Sequence, residues 1–510
     1  MPRMPTTLPR RVTPLLGRPF HRIESTRRIE RATLAGHPPN ALMRLAGAAV
    51  ARLALAVAPH AGRVWVAAGP GNNGGDGLEA AVHLSAAGRS VHVTLLADAA
   101  GLPADAQAAL ARAGNAGVTF GETPPNLAAE DLAVDGLLGI GAVRAPEGDL
   151  REAISRLNTV TAPVLAIDLP SGLHPDTGAL LGDVAVQARY TLALLTIKPG
   201  LFTAQGRDHA GVVWHDTLGV DAGTGDGWLC GREPLARAMQ RRRHAAHKGN
   251  FGDVLVIGGA QGMAGAGLLA ARAALALGAG RTFAVLLDAG LPAIDSAWPE
   301  LMFRRPGWAL QPAVLAAATI VCGCGGADAV RELLPVVLHH ADRLVLDADA
   351  LNAIAVDAAL APLVRSRGAR GRPTIATPHP LEAARLLGTD ARAVQADRLA
   401  ACHALAMRLD CCVLLKGSGT VLCAPNAAPI INTTGNALLS TAGTGDVLAG
   451  AIGSLWAQNT GLAPLDVAAA SAWLHGAAAD DAQSAGAGTP LTASRLIGAM
   501  LAHADRSCPA

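Results

Sequence analysis

Arg63-Val-Trp-Val-Ala-Ala-Gly-Pro-Gly-Asn-Asn-Gly-Gly-Asp-Gly-Leu78 opens on an apolar run of strand type, turns on glycine and proline, and leads into an alanine-rich segment. Arg63 to Ala68 reads as a buried strand, Gly69 to Gly77 as a loop, and Leu78 to Ala87 as a helix. Glycines let a backbone approach a ligand closely, and the N–H groups heading the next helix attract anionic phosphate. A nucleotide is therefore the expected guest. Asn72, Asn73 and Asp76 add polar side chains that a plain turn does not require.

Working outward, Ala41 to Val57 has helical spacing. Downstream come a strand (Ser90 to Leu96), a helix (Ala104 to Arg112), a strand (Leu132 to Leu138), a helix (Asp149 to Asn158) and a strand (Pro163 to Asp168). Such βα alternation predicts a parallel sheet covered by helices on both faces, with ligands at the carboxyl ends of its strands. Periodicity lapses around Asp221 to Gly227, and a basic run, Arg241 to His244 with His247 and Lys248, follows. A second alternation begins at Val254 to Ile257 and recurs at Thr282 to Leu287, Thr319 to Cys322, Arg343 to Leu346, Thr374 to Ala376 and Cys411 to Leu415. The expected fold class is α/β, with two α/β/α domains at 1–225 and 226–510.

Composition agrees. A chain of 510 residues exceeds what one core usually serves, and 51% hydrophobic with 3% aromatic residues suits Ala/Val/Leu-rich α/β layers. A net charge of +2 gives no reason to expect nucleic acid or an anionic membrane as a partner, so small-molecule chemistry is favoured. The eight cysteines, Cys322, Cys324, Cys411 and Cys412 among them, form no CxxC pair and read as reduced core thiols. Arg3, Arg10, Arg11, Arg18, Arg22, Arg27 and Arg28 read as a solvated tail. The uncharged run from Arg305 to Asp328 reads as a buried helix and strand, because Pro306, Gln311 and Pro312 interrupt it. A soluble cytoplasmic protein is expected.

Strand ends carry the chemistry. Asp135 before Gly139-Ile-Gly141, and Asp168 before Pro170-Ser171-Gly172, should converge on the rim that holds the glycine loop, where a carboxylate can shuttle protons. In the second half, Lys416-Gly-Ser-Gly-Thr420 follows a strand, and Thr441-Ala-Gly-Thr-Gly-Asp446 opens a helix read as Val447 to Leu455. Amides heading that helix form an anion hole for a phosphoryl group, beside which Asp446 can take a proton.

Leu42-Met43 with Ala46-Gly47, the Asn-Asn-Gly-Gly-Asp-Gly loop, Asp135 with Gly139 to Gly141, and Asp168 with Pro170-Ser171-Gly172 resemble the NAD(P)HX epimerase domain. The likeness implies a Rossmann-like fold. It places a potassium ion on Asn73, Asp135 and Ser171, and the hydrate on Asn72, Asn73, Gly74, Gly75 and Asp76, on Gly139, Ile140, Gly141, Ala142, Val143, Arg144 and Ala145, and on Asp168 as acid/base. The second half resembles ribokinase-like, ADP/ATP-dependent NAD(P)HX dehydratases through His247-Lys248-Gly249, Pro299-Glu300, Asp347-Ala-Asp-Ala-Leu-Asn352, Thr377-Pro-His-Pro380, Leu415-Lys416-Gly417 and Leu474-His-Gly476.

That likeness implies nucleotide contacts at Lys416, Gly417, Ser418, Gly419, Thr420 and Gly445, and hydrate contacts at Ala264, Gly325, His379 and Asp446. It also implies NADHX and NADPHX as substrates, ADP or ATP with magnesium as co-substrate, and a homo-oligomer. The chain departs from the family at Cys322 to Gly326, where Gly-Pro-Gly-Leu-Gly is usual, and at Glu382, where glycine is commoner. A small-molecule kinase shares the anion hole and its Asp, although the fused first half counts against that reading. A non-catalytic first half is a second alternative, opposed by the joint presence of Asn73, Asp135 and Asp168.

Overall fold

The computed structural model describes residues 7–239, 241–290 and 294–507. It divides into two compact units, one built mainly from Pro19–Gly227 and one from Trp228 onward together with Pro14–Arg18.

In the first unit the sheet order is Arg10–Arg11, Val212–Asp216, Tyr190–Leu194, Val164–Ile167, Leu132–Gly136, Arg63–Ala68, Ser90–Leu95 and Thr119–Phe120. All neighbours run parallel except the first pair. Side chains along the strand Arg63–Ala68 alternate between two cores: Val64, Val66 and Ala68 pack with the helix Ala41–Val57, whereas Trp65 and Ala67 pack with Ile154 and Leu157. Burial on both faces is why the strand is almost continuously apolar.

Two expectations need correction. The arginine-rich amino terminus is not a free tail: Arg10 and Arg11 pair antiparallel with His215 and Trp214, and Ile23–Leu34 is a helix. The side chains of Arg10 and Arg11 are solvated, as their composition suggests, but their backbone groups complete a sheet edge. Arg3 lies outside the described residues. The second correction concerns the glycine-rich loop, because the helix starts at Asn72 rather than Leu78 and runs to Ala86. Glycine is a poor helix former in isolation. Here close packing outweighs propensity: a Cβ on Gly74 would lie 2.1 Å from the Gly69 carbonyl oxygen.

The second unit's sheet runs Met302–Phe303, Arg281–Leu286, Asp253–Gly258, Thr319–Cys322, Arg343–Leu346, Thr374–Ala376 and Cys412–Leu415 in parallel. Val421–Cys423 and Ile430–Asn432 follow antiparallel, and Gly227–Cys230 pairs parallel to Ile430–Asn432. The helices Ala264–Ala276 and Thr444–Gln458 pack together so closely that a Cβ on Gly450 would meet the Ala270 carbonyl oxygen at 2.0 Å. Gly450→Ala is expected to force these helices apart at a cost of about 1–3 kcal/mol. The check is a lower urea midpoint for the second unit's unfolding transition.

The uncharged run after Arg305 forms short helices, Pro306–Ala309 and Pro312–Ala317, and then the buried strand Thr319–Cys322. Among the described residues no helix is long and apolar enough to cross a membrane. Cys230, Cys322, Cys324, Cys402, Cys411, Cys412 and Cys423 are free and buried, and Cys508 lies outside the described residues.

Candidate active sites

At the carboxyl end of the first sheet is a cavity of about 510 Å³. Asp168, one residue past the strand Val164–Ile167, faces it in the left-handed conformation, φ +67°. That backbone costs an L-residue about 1–2 kcal/mol and is held by its surroundings. Asp168 Oδ1 accepts the Leu194 N–H at 3.1 Å and is ion-paired to the Lys198 ammonium. Lys198 is 1% exposed and also donates to the carbonyls of Leu194, at 2.8 Å, and Thr196, at 3.1 Å. All the ammonium's donors are thus used, and one edge of the carboxylate is fixed. Sequence reasoning passed over Lys198. Its signal was a lone cation closing the otherwise uncharged run Thr191 to Ile197.

The cavity collects Asn72, Asn73, Asp76, Gly139, Ile140, Gly141 and Ala142 from the expected hydrate set. Gly74 and Gly75 do not line it. Gly75 abuts Met43, whose Cε would lie 2.5 Å from an added Cβ, so both glycines serve helix packing. Val143, Arg144 and Ala145 are exposed and also stand outside the cavity lining. Glu30 and Arg27, unforeseen from sequence, enter it from the helix Ile23–Leu34. Burial, followed by the nearby Asp168 charge, raises the Glu30 carboxyl above its ordinary range. The same two causes raise Asp76 well above its own.

Asp135, Ser171 and Asn73 belong to one buried hydrogen-bond network. Ser171 donates from Oγ to Asp135 Oδ1 at 2.6 Å and from N to Oδ2 at 2.8 Å. The Leu138 N–H donates to Ser171 Oγ at 2.8 Å, and Asn73 Nδ2 donates to the Leu138 carbonyl at 3.0 Å. Burial pushes the Asp135 carboxyl up to about 6, against the Ser171 hydrogen bonds. A fully buried carboxylate among neutral oxygens is an environment that a weakly held hard cation would complete.

In the second unit the expected residues again come from strand ends and helix starts. The helix read as Val447 to Leu455 extends over Thr444–Gln458, so Thr444, Gly445 and Asp446 form its first turn, after Gly443 at φ +87°. Lys416, directly after Cys412–Leu415, places Nζ 2.7 Å from Asp347 Oδ1, which also accepts the Thr377 hydroxyl at 2.7 Å. The same Nζ lies 3.3 Å from where a Cβ on Gly445 would be. The ligand-bearing atoms of Cys324, Asp347 and Asp446 lie within 4.8 Å of one another. Burial, then the Asp347 charge, pushes the Asp446 carboxyl up to about 6, opposed by the Cys324 hydrogen bond and by Lys416. Gly417 packs against the Arg398 guanidinium, which donates to the Leu415 and Lys416 carbonyls at 3.1 Å.

Ala264 and Gly325 are neighbours: the 323–326 turn lies on the start of the helix Ala264–Ala276, where a Cβ on Gly325 would meet Ala266 Cβ at 2.8 Å. His379 has a structural task that the sequence reading did not foresee. Its Nδ1 caps the helix Pro380–Leu387 by accepting from Leu381 N at 3.1 Å and Glu382 N at 3.3 Å. Glu382 is buried, with Oε2 4.0 Å from Lys416, and burial pushes its carboxyl up to about 7. Asp347 and Glu382 therefore flank Lys416, an arrangement that motif spacing alone did not reveal.

Residues 254–500 match the family model described as NAD(P)H-hydrate dehydratase, and residues 39–200 match the YjeF-related protein N-terminus. Over 470 residues the chain is 37% identical to the bifunctional NAD(P)H-hydrate repair enzyme Nnr of Escherichia coli strain K12, covering 88% of this chain and 87% of that one. This chain belongs to the family of bifunctional NAD(P)H-hydrate repair enzymes. Its second half is 44% identical over 245 residues to the ADP-dependent (S)-NAD(P)H-hydrate dehydratase of Neisseria meningitidis serogroup B, spanning 48% of this repair-family chain and 81% of that protein. A solved ADP/ATP-dependent NAD(P)H-hydrate dehydratase from Bacillus subtilis, co-crystallized with ATP/Mg2+, is 28% identical. It covers 55% of this chain and 97% of its own, with a TM-score of 0.46.

Proposed function

We propose that the first unit interconverts the R and S forms of hydrated NADH and NADPH, and that the second dehydrates the S form to NAD(P)H at the expense of ADP or ATP. The damaged ring carries a hydroxyl at carbon six, beside the ring nitrogen. Hydroxide leaves poorly. Phosphorylation makes it a good leaving group, and its departure lets the ring regain conjugation.

The observation that carries this reading is the charge arrangement at the start of the helix Thr444–Gln458. Asp446 stands beside Asp347, and Asp347 is held by Lys416. Asp446 takes the proton of the carbon-six hydroxyl as its oxygen attacks the terminal phosphoryl group. The first-turn amides and Lys416 stabilise the charge that develops. The nucleotide would be held by Lys416 to Thr420 and Gly445, and magnesium bound with it would supply further countercharge for the phosphates. Ala264, Gly325 and Asp446 border the hydrate, and His379, whose Nε2 lies 3.2 Å from Glu382 Oε1, stands beside it.

In the first unit Asp168 is the acid/base in the cavity. A potassium ion would be held by Asp135, Ser171 and Asn73. It would supply the countercharge for Asp135 and keep the Gly139–Ala142 wall in place. Buried free thiols suit a reducing compartment such as the cytoplasm. A homo-oligomeric state belongs to the same reading, and light scattering checks it.

The test is recovery of reduced-nicotinamide absorbance when hydrated NADH is incubated with the protein and ADP or ATP. A small-molecule kinase gives no recovery. Because Asp446 must be ionised to act, kcat/KM for dehydration should rise with pH through about 6 and then level off. A profile flat from pH 5 to 8 would remove Asp446 as the base.

A further inference from the structure

Four carboxylates, those of Glu30, Asp76, Asp105 and Asp168, line the first unit's cavity, and they do not share its lysine equally. Lys198 is bonded to Asp168 and to two backbone carbonyls. Asp76 accepts no hydrogen bond and joins no ion pair among the described residues. Resting on the epimerase reading, we propose that Asp76 is the proton donor that works opposite Asp168, so that epimerisation runs between two carboxyl groups in opposite protonation states.

The surroundings of Asp76 set its state. From the helix Ile23–Leu34 come Glu30 and Arg27; past the strand Val164–Ile167 comes Asp168; Lys198 adds its distant positive charge, and Asp105 lines the same cavity. On its own helix stands Glu79, already bonded to Arg112 Nε at 2.8 Å. Carboxylates dominate, and the one buried cation among these groups is committed elsewhere. Burial, then the Asp168 charge, raises the Asp76 carboxyl well above its ordinary range, while among the described residues the only ion-pair partner of Asp168 is the Lys198 ammonium. A carboxyl without a cation partner beside one that is ion-paired to a buried lysine divides the roles of acid and base between them.

The chemistry balances with these two groups alone. Asp168 takes the proton of the carbon-six hydroxyl, and the O–H electron pair becomes the π bond of an aldehyde. The bond from carbon six to the ring nitrogen breaks, and its pair stays on nitrogen, which receives the Asp76 proton. Rotation about the bond between carbons five and six presents the other aldehyde face. Ring closure reverses each transfer: nitrogen attacks, Asp76 recovers its proton, and Asp168 returns a proton to the new alkoxide. No oxidant or reductant is needed.

The test is Asp76→Asn in the full chain, assayed with R-NADHX and S-NADHX separately. Asparagine copies the shape and neutrality of a protonated aspartate but cannot transfer a proton. Epimerisation kcat is expected to fall at least about 100-fold with KM within a few-fold of wild type. Dehydration of the S form and the melting temperature should be unchanged, which excludes misfolding. Wild-type epimerisation should also lose rate on the alkaline side as Asp76 ionises, a limb absent from the residual activity of the variant. Retention of kcat within threefold, or a residual activity with the alkaline limb intact, overturns the assignment and leaves the epimerase reading standing. A wild-type protein that does not interconvert the epimers removes both.

Discussion

Asp446→Asn lowers nucleotide-driven dehydration by about 10²–10⁴-fold, the range expected when a positioned base is lost. The fold survives it. Asp446 shares a confined space with Asp347 and Cys324, and Lys416 is the cation that answers them. Because the folded carboxyl is raised to about 6 from the ordinary 3.8, its contribution to stability is complete below pH 4 and is lost as pH rises through 6. Asparagine removes the charge that is disfavoured at neutral pH. The variant should therefore melt no lower than wild type at pH 8, and lower relative to it at pH 4. A melting temperature depressed at both values would mean that Asp446 is structural. Calorimetry at the two pH values, beside the absorbance assay, distinguishes these outcomes.

Asp168→Asn has a different signature, since stability and activity fall together. The Lys198 ammonium is buried, and its charge is answered by Asp168 alone among its three partners. Leaving it unpaired costs about 3–5 kcal/mol, and loss of the acid/base lowers epimerisation by about 10²–10⁴-fold. Supplied with R-NADHX and nucleotide, the variant should leave the hydrate unrepaired while still consuming the S form completely. Combining Asp168→Asn with Lys198→Met should restore much of the first unit's melting temperature and none of its epimerisation. Complete conversion of R-NADHX by either variant would remove Asp168 from the chemistry.

The architecture was legible where burial is two-sided or strictly periodic. Ala41–Val57 and Arg63–Ala68 form the helix and strand that the apolar pattern predicts, and the second half's parallel strands fall at the expected places. Reading failed where tertiary contact overrides local preference. Asn72 to Gly77 belongs to a helix because its glycines let neighbouring backbone and Met43 come close, a fact that helix propensity opposes. Of the residues expected to touch the hydrate in the first unit, Asn72, Asn73, Asp76, Gly139 to Ala142 and Asp168 line the cavity, whereas Gly74 and Gly75 serve helix packing and Val143 to Ala145, three exposed positions further along the loop, stand outside it. Lys198 and Glu30 were invisible because their meaning lies in charges from distant parts of the chain, at Asp168 and Asp76. His379 shows the converse case, in which a motif residue carries a helix-capping role that the motif does not announce.

Residues 39–200, matched by the model of the first half, omit the helix Ile23–Leu34, which brings Arg27 and Glu30 to the cavity. A recombinant fragment trimmed to that match would keep the strand-end floor that carries Asp168 and lose one side of the vessel above it. More water would then reach Asp76, its carboxyl would fall back toward the ordinary aspartate range and be ionised at neutral pH, and the two-proton exchange would stall in a protein whose motifs all remained in place. Expression trials for the isolated first half therefore need to begin upstream of Arg10, whose short strand anchors the arm that carries this helix.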